Sequence, residues 1–164
     1  MAIEEIARSD DDLVATVGEM RVLPGASNVI PGEATFTLDL RSGSNRKRKA
    51  ALDAIRTRMR EIAERRYMAV DLSVDSETPA TKCDPALIEA IDAACGAVQG
   101  ECLHLVSGAG HDAIAMSALC PIGMVFVRCK GGISHNPAES ILEEDADAGY
   151  RALAGAVRNL LDRQ

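Results

Sequence analysis

A histidine at position 135 lies in the segment GGISHNPAES, residues 131–140. Two glycines precede it and an Asn-Pro pair follows it, so the backbone is expected to bend on both sides of the imidazole. A histidine can be a structural core residue, a metal ligand or a catalytic base, and the segment alone does not decide between these three roles. A catalytic zinc site needs at least three protein ligands, and the other histidines are His104 and His111.

The segment SGAGHDA, residues 107–113, places two glycines directly before a predicted helix. Exposed backbone N–H groups at such a position favour a carboxylate, a phosphate or an oxyanion, although a plain strand-to-helix turn also requires glycine. Ser107, His111 and Asp112 have the residue types of a hydrolytic triad. Because three such residues within six positions on one turn rarely converge on a point, we predict that they do not form one.

The first half of the chain alternates between strand and helix patterns. In ATFTLDLR, residues 34–41, apolar and polar residues alternate, which predicts a half-buried strand whose polar face ends at Arg41. From Asn45 to about Arg66 the apolar residues recur at helical spacing. The other predicted elements are a helix end at 3–8 and strands at 13–22 and 69–76. This order is that of a ferredoxin-like domain that lacks its first strand.

The second half of the chain predicts a small α/β unit. Asp84 and Pro85 match the N-cap and first position of a helix that ends at Gly100. The further elements expected are strands at 102–106 and 122–129, a helix from SGAGHDA through Leu119, and a last helix with acidic residues from 143 to 147. The strand at 122–129 is apolar on both faces, as in a sheet that is covered on both sides. We therefore expect two domains, 1–80 and 81–164.

Composition narrows the class of protein. The formal net charge of −7 over 164 residues argues against a nucleic-acid-binding protein, which needs a basic surface. No apolar run approaches the length of a membrane span, and no secretory signal is visible, so we predict no membrane partner. Five cysteines without a C-x-x-C pair fit a reduced compartment, and the expected location is the cytoplasm.

Three segments together, GASNVIPGEATFTLDLR, GAGHDA and FVRCKGGISHNPAES, resemble the hydantoinase/carbamoylase branch of the M20 metallopeptidase family. The branch includes N-carbamoyl-L-amino-acid hydrolases, allantoate amidohydrolases and β-ureidopropionases. The resemblance covers essentially the whole chain, but only the later part of a family member, from inside its lid domain to its C-terminus. It implies an α/β fold: a partial ferredoxin-like lid or dimerisation domain, then the C-terminal part of a parallel-sheet catalytic domain.

The resemblance also implies roles for individual residues. Family members bind two divalent metal ions, zinc or manganese, and His135 matches the final metal ligand. Asn28 and Arg41 match lid residues that bind the substrate carboxylate and reach the partner subunit's active site in a homodimer. A planar guanidinium on a polar strand face suits that task. The residues matched to the substrate pocket are Gly110, His111 and Ser134.

The other metal ligands and the catalytic glutamate of the family have no counterpart in this sequence. We therefore expect a fragment of a metal-dependent amidohydrolase that cleaves the ureido C–N bond of allantoate or an N-carbamoyl-L-amino acid and is inactive alone. The alternatives are a non-catalytic dimerisation or regulatory module and one half of a split enzyme. Of the two substrates, the segment FVRCKGGISHNPAES slightly favours allantoate.

Overall fold

The computed structural model describes residues 2–162 and divides into two compact units, Met1–Ala80 and Thr81–Gln164. The first unit contains α1 (Ala2–Ala7), β1 (Val14–Leu23), β2 (Glu33–Arg41) and α2 (Asn45–Arg65). The second contains α3 (Pro85–Gln99), α4 (Ala113–Met116), a 3₁₀ turn (Lys130–Gly132) and α5 (Glu143–Leu161). No helix within the described residues is long and apolar enough to cross a membrane.

The strands β1 and β2 form an antiparallel hairpin in which Val14 lies opposite Arg41. A bulge interrupts the pairing, because Gly18 and Glu19 together oppose Thr37. The Thr37 hydroxyl accepts a hydrogen bond from the Glu19 N–H at 3.0 Å, which stabilises the irregular backbone there. Phenylalanine and leucine side chains of β2 are half-buried and the polar residues between them are exposed, so the predicted alternation is confirmed.

Helix α2 supplies the core of the first unit. It begins after Ser44, whose hydroxyl accepts a hydrogen bond from the Lys47 N–H at 3.4 Å as an N-cap. Its buried residues are Ala51, Ile55 and Ala63. Ile55 is 1% exposed. Since α2 contacts both α1 and β2, this apolar stripe holds the unit together, and the predicted helix is confirmed.

Helices α3 and α5 pack against each other through small side chains. The buried residues at this contact are Ala90, Ala94, Ala152 and Ala156. A Cβ atom added at Gly155 would lie 3.2 Å from that of Ala94, which shows how closely the helices approach. The Asn159 side-chain amide donates a hydrogen bond to the Ala90 carbonyl at 3.2 Å across the contact.

The predicted boundaries of α3 are confirmed, whereas α4 is shorter than predicted. Asp84 caps the N-terminus of α3, accepting hydrogen bonds from two backbone N–H groups, and Gly100 ends the helix with a φ of 87°. Helix α4 ends at Met116 instead of continuing through Leu119. The N–H groups of residues 119 and 120 both bond to the Met116 carbonyl, so the chain closes into a turn. Pro121 favours this ending, because the residue before a proline is disfavoured in a helix.

Three strand predictions, at 69–76, 102–106 and 122–129, are wrong for the described residues. The hairpin of β1 and β2 is the one hydrogen-bonded sheet among residues 2–162. Alternating or apolar sequence is a local property, but a strand also requires a neighbouring backbone to pair with. The segment 122–129 packs through side chains instead: Gly123 lies against α3 and Val127 lies against Gly149 of α5.

Candidate functional site

The segment around His135 forms an exposed loop with a defined backbone. Its ends are joined by a hydrogen bond of 2.8 Å from the Lys130 N–H to the Ser140 carbonyl. Gly131 and Gly132 have φ values of 66° and 70°. Because side chains other than glycine rarely adopt this region, the glycine pair is what allows the chain to bend here.

His135 itself has a φ of 56°, in the left-handed region that is uncommon for a residue with a side chain. Its N–H donates a hydrogen bond of 2.9 Å to the Glu139 carboxylate. Beyond it, the Asn136 side chain accepts a hydrogen bond from the Ala138 N–H at 2.9 Å. The backbone on both sides of His135 is therefore fixed, while its imidazole and the neighbouring Ser134 are exposed.

The loop before α4 joins two of the three residues that have the types of a hydrolytic triad, Ser107 and His111. The Ser107 hydroxyl lies 2.7 Å from Nε2 of His111 and accepts a hydrogen bond from the Ala109 N–H. Within residues 2–162, no hydrogen bond joins Asp112 to His111, so two of the three residues are linked and the third is not. Gly110 is exposed and has open space where a side chain would be, which leaves the backbone accessible.

Arg41 already holds a carboxylate in the first unit. Its Nε donates to Oδ1 of Asp39 at 2.8 Å, and its Nη2 pairs with the other carboxylate oxygen. The two residues are two positions apart on the exposed face of β2, where side chains point the same way. The hydrogen bonds that Arg41 donates to Asp39 lower the pKa of Asp39 from its ordinary value and raise the pKa of Arg41.

Asn28 lies in the loop that joins β1 to β2. The loop is closed at its base by a hydrogen bond of 3.0 Å from the Gly32 N–H to the Leu23 carbonyl. The Asn28 side chain is exposed. Arg41 lies at the other end of β2, so the two residues expected to bind a carboxylate come from opposite ends of one strand.

A further cluster, which the sequence did not predict, joins α3 to the segment after it. His104 Nε2 lies 2.8 and 2.9 Å from the two carboxylate oxygens of Asp92. The Cys102 thiol lies within 4.8 Å of both groups and contacts Cys95. The available signal was the pattern D-x-x-C followed by C-x-H, with each pair spaced to share a face. We call these four residues the α3 cluster.

The electrostatics of the α3 cluster are those of closely spaced acidic groups. The hydrogen bond to Asp92, together with burial and the contact with Cys95, raises the pKa of Cys102 to about 12. The same hydrogen bond and that of His104 lower the pKa of Asp92. The Asp92 carboxylate therefore carries its negative charge beside a thiol that keeps its proton.

Comparison with known proteins decides the family. The model of peptidase family M20/M25/M40 matches residues 3–159. The chain belongs to this family. It is 44% identical over 159 residues to allantoate deiminase of Arabidopsis thaliana, covering 92% of the chain and 30% of that protein. It is 37% identical over 158 residues to N-carbamoyl-L-amino acid amidohydrolase of Geobacillus stearothermophilus, covering 96% of the chain and 39% of that protein.

Solved structures of M20 relatives share the fold. An amidase of the hydantoinase/carbamoylase family from Burkholderia multivorans matches with a TM-score of 0.87 at 33% identity, covering 94% of the chain and 38% of that structure. AtUAH in complex with (S)-hydroxyglycine matches with a TM-score of 0.80 at 27% identity, covering 97% and 38%. These matches confirm the resemblance to the branch and the predicted α/β class. The chain spans 30% to 39% of the length of these four proteins.

His135 fits the role of one metal ligand, but the described residues do not complete a site around it. Its exposed imidazole, on a fixed backbone, has the donor chemistry that zinc and manganese accept. Within residues 2–162, the one group of three or more metal-binding side chains is in the α3 cluster and excludes His135. The metal, dimer and substrate roles assigned from the resemblance stay predictions.

Proposed function

We propose that the chain forms part of a metal-dependent amidohydrolase that cleaves the ureido C–N bond of allantoate or of an N-carbamoyl-L-amino acid. Both substrate classes carry a carboxylate beside a ureido group. The observation that carries the proposal is the bidentate grip of Arg41 on the Asp39 carboxylate, in a chain similar to enzymes named for these two substrates. Allantoate is the first choice, because the allantoate deiminase is the more similar of the two relatives compared above.

Arg41 and Asn28 are the residues proposed to bind the substrate carboxylate. Asp39 orients the guanidinium fork in the absence of substrate, and a substrate carboxylate would take its place or share the fork. Asn28 would add a neutral amide donor. Because β2 is a paired strand, the Arg41 backbone is held by ladder hydrogen bonds, and only its side chain has to rearrange.

His135 is proposed to bind one of two divalent metal ions, zinc or manganese. When bound, the metal pair polarises the ureido carbonyl and lowers the pKa of a water. The hydrogen bond from the His135 N–H to Glu139 holds the backbone that presents the imidazole. Ser134, Gly110 and His111 would line the pocket, and Ser107 would fix the His111 ring through its hydrogen bond to Nε2.

The test is a chimaera in which residues 1–164 replace the matching part of Arabidopsis allantoate deiminase. We expect metal-dependent ammonia release from allantoate by the chimaera and none by the 164-residue chain alone. A folded, metal-loaded chimaera that is inactive on allantoate and on N-carbamoyl-L-amino acids would contradict the proposal. Turnover by the chain alone would contradict the expected need for residues from elsewhere.

A non-catalytic dimerisation module is a second candidate, and one observation favours it. The hairpin exposes several large apolar side chains of β1, including Met20 at 63% and Val14 at 57%. Exposed apolar surface of this kind marks association between chains. We expect the purified chain to self-associate, with a sedimentation or size-exclusion profile that depends on concentration, and Met20→Lys to reduce it. A monomer at all concentrations would remove this candidate.

A further inference from the structure

The α3 cluster brings together two thiols, an imidazole and a carboxylate, which are the donor types that zinc prefers. It does not include His135 or any residue assigned to the substrate pocket. A surface ion pair would explain why two of the four residues, Asp92 and His104, lie in contact. It would leave unexplained why the Cys102 thiol lies within 4.8 Å of both groups, with Cys95 beside it.

The local fold explains why these residues converge. Asp92 and Cys95 are three positions apart on α3 and so lie on one helical face. Gly100 ends the helix in a left-handed conformation, which turns the following chain back. Cys102 and His104 are two positions apart in that chain, so in an extended segment they point the same way.

We propose that the α3 cluster is a structural Zn²⁺ site that uses one ligand atom from each of its four residues. The donor atoms of Asp92, Cys102 and His104 lie within 4.8 Å of one another. Tetrahedral ligands at 2.0–2.3 Å from zinc are separated by roughly 3.3–3.8 Å, so small side-chain rotations would suffice for these three residues. Cys95, which contacts Cys102, would rotate toward the ion to supply the fourth ligand. Asp92 and His104 would move apart by a few tenths of an ångström, because an ion would replace their hydrogen bond.

The charge of the cluster favours a divalent cation. The Asp92 carboxylate lies within 4.8 Å of the Cys102 thiol and of the His104 imidazole, so a cation between them would be close to all three groups. A Zn²⁺ ion would stabilise the thiolates and the carboxylate at once. Binding would therefore release the two thiol protons to solvent and leave a neutral imidazole nitrogen on the metal.

Such a site would fix a part of the chain that lacks other regular support. The segment 102–106 has no strand partner within the described residues, and it leads directly into the loop of Ser107 and His111. A closed site with four protein ligands would tie this segment to α3. Since no position remains open for water or substrate, its role would be structural rather than catalytic.

The test is metal binding by the whole 164-residue chain, reduced, freed of metal with a chelator and kept under reductant. Zn²⁺ is titrated in competition with a chromophoric chelator, and Co²⁺ is added separately as an optical probe. We expect one tightly held Zn²⁺ per chain and a thiolate-to-Co²⁺ charge-transfer band. Cys102→Ser and Asp92→Asn should each weaken Zn²⁺ binding by about 100-fold or more and reduce that band.

Two control variants make the outcomes distinct. Cys120→Ser removes an exposed thiol outside the cluster, and His135→Ala removes the ligand expected from the family. Both variants should bind Zn²⁺ as tightly as the unchanged chain and should keep the charge-transfer band with Co²⁺. This expectation does not depend on whether the chimaera is active. Circular dichroism of each variant checks that the helix content of the chain is retained.

Three results would overturn the proposal. The first is no tight Zn²⁺ binding by a reduced chain with its helices intact. The second is binding that His135→Ala abolishes and Cys102→Ser does not. The third is a chain that binds Zn²⁺ tightly but whose Co²⁺ form lacks the charge-transfer band, which would place the metal away from the thiols.

Discussion

Arg41 and His135 are positioned by opposite means. Arg41 lies on a paired strand, and its side chain is oriented by another side chain, the Asp39 carboxylate. His135 lies in an exposed loop, and a hydrogen bond from its own backbone N–H to the Glu139 carboxylate fixes its backbone. The first site therefore depends on side-chain chemistry on a regular backbone, whereas the second depends on an unusual backbone conformation.

This difference determines which substitutions should matter at each position. At Arg41 the strand persists whatever the side chain, so a variant tests the guanidinium fork alone. At His135 a variant changes both the imidazole and the cost of a positive φ, which is about 1–2 kcal/mol for a residue with a Cβ. The two effects have to be separated by the choice of replacement.

The largest effect is expected for His135→Ala in the chimaera, measured as kcat/KM on allantoate and as metal content. If the imidazole is a metal ligand, both should fall, with kcat/KM lower by about 100-fold or more. His135→Asn is the matched control for the backbone, because asparagine tolerates the left-handed region but has no imidazole. Full activity in His135→Asn would show that the position needs the conformation and not the ligand.

The second effect is expected for Arg41→Lys in the same chimaera. Lysine keeps the positive charge but loses the planar fork, so KM should rise by roughly tenfold with a smaller change in kcat. Arg21→Lys, in β1 of the same hairpin, is the matched control and should leave KM unchanged. An unchanged KM in Arg41→Lys would remove Arg41 from the carboxylate site.

The sequence predicted both positions for different reasons. The alternation in ATFTLDLR is a local pattern, and it placed Arg41 correctly on the exposed face of β2. At His135 the glycine pair and the Asn-Pro turn predicted a bend, but not the hydrogen bond to Glu139, four residues later. Helices α2 and α3 were predicted well because their caps and apolar spacing are also local, as at Asp84 and Gly100.

The failures come from contacts that are distant in sequence or easily overlooked. The expected strands at 69–76, 102–106 and 122–129 had suitable side chains but no backbone partner within residues 2–162. The sequence did not predict the α3 cluster, because its cysteines do not form a C-x-x-C pair. Its two halves lie on different elements, and only the turn at Gly100 brings them together.

A smaller effect is expected for Glu139→Ala, which removes the acceptor of the His135 N–H. The loop would then populate conformations in which the imidazole is misplaced, and kcat/KM of the chimaera should fall by about three- to tenfold. Glu139→Gln keeps a carbonyl acceptor and should retain most of the activity. Equal losses in both variants would point to the charge of Glu139 and not to the hydrogen bond.

The smallest effect is expected in the acid stability of the hairpin. Arg41 lowers the folded-state pKa of Asp39, so the pair contributes to stability above the unfolded pKa of about 3.9. That contribution is lost as the pH falls through the lower, folded pKa. Because the Asp39 side chain is 50% exposed, solvent limits the contribution to less than about 1 kcal/mol.

Urea unfolding of the chain and of Asp39→Asn, measured from neutral pH down to about pH 3, isolates the contribution of the Asp39–Arg41 pair to the free energy of unfolding. The difference in unfolding free energy between the two proteins should be constant above about pH 5 and shrink below about pH 4, since asparagine does not titrate. A difference that grows on acidification would mean that Asp39 binds its proton more tightly in the folded state. The Asp39 carboxylate would then not be held by Arg41. Arg41 could not be described as oriented by a neighbouring side chain, in contrast to His135, which is held through its backbone.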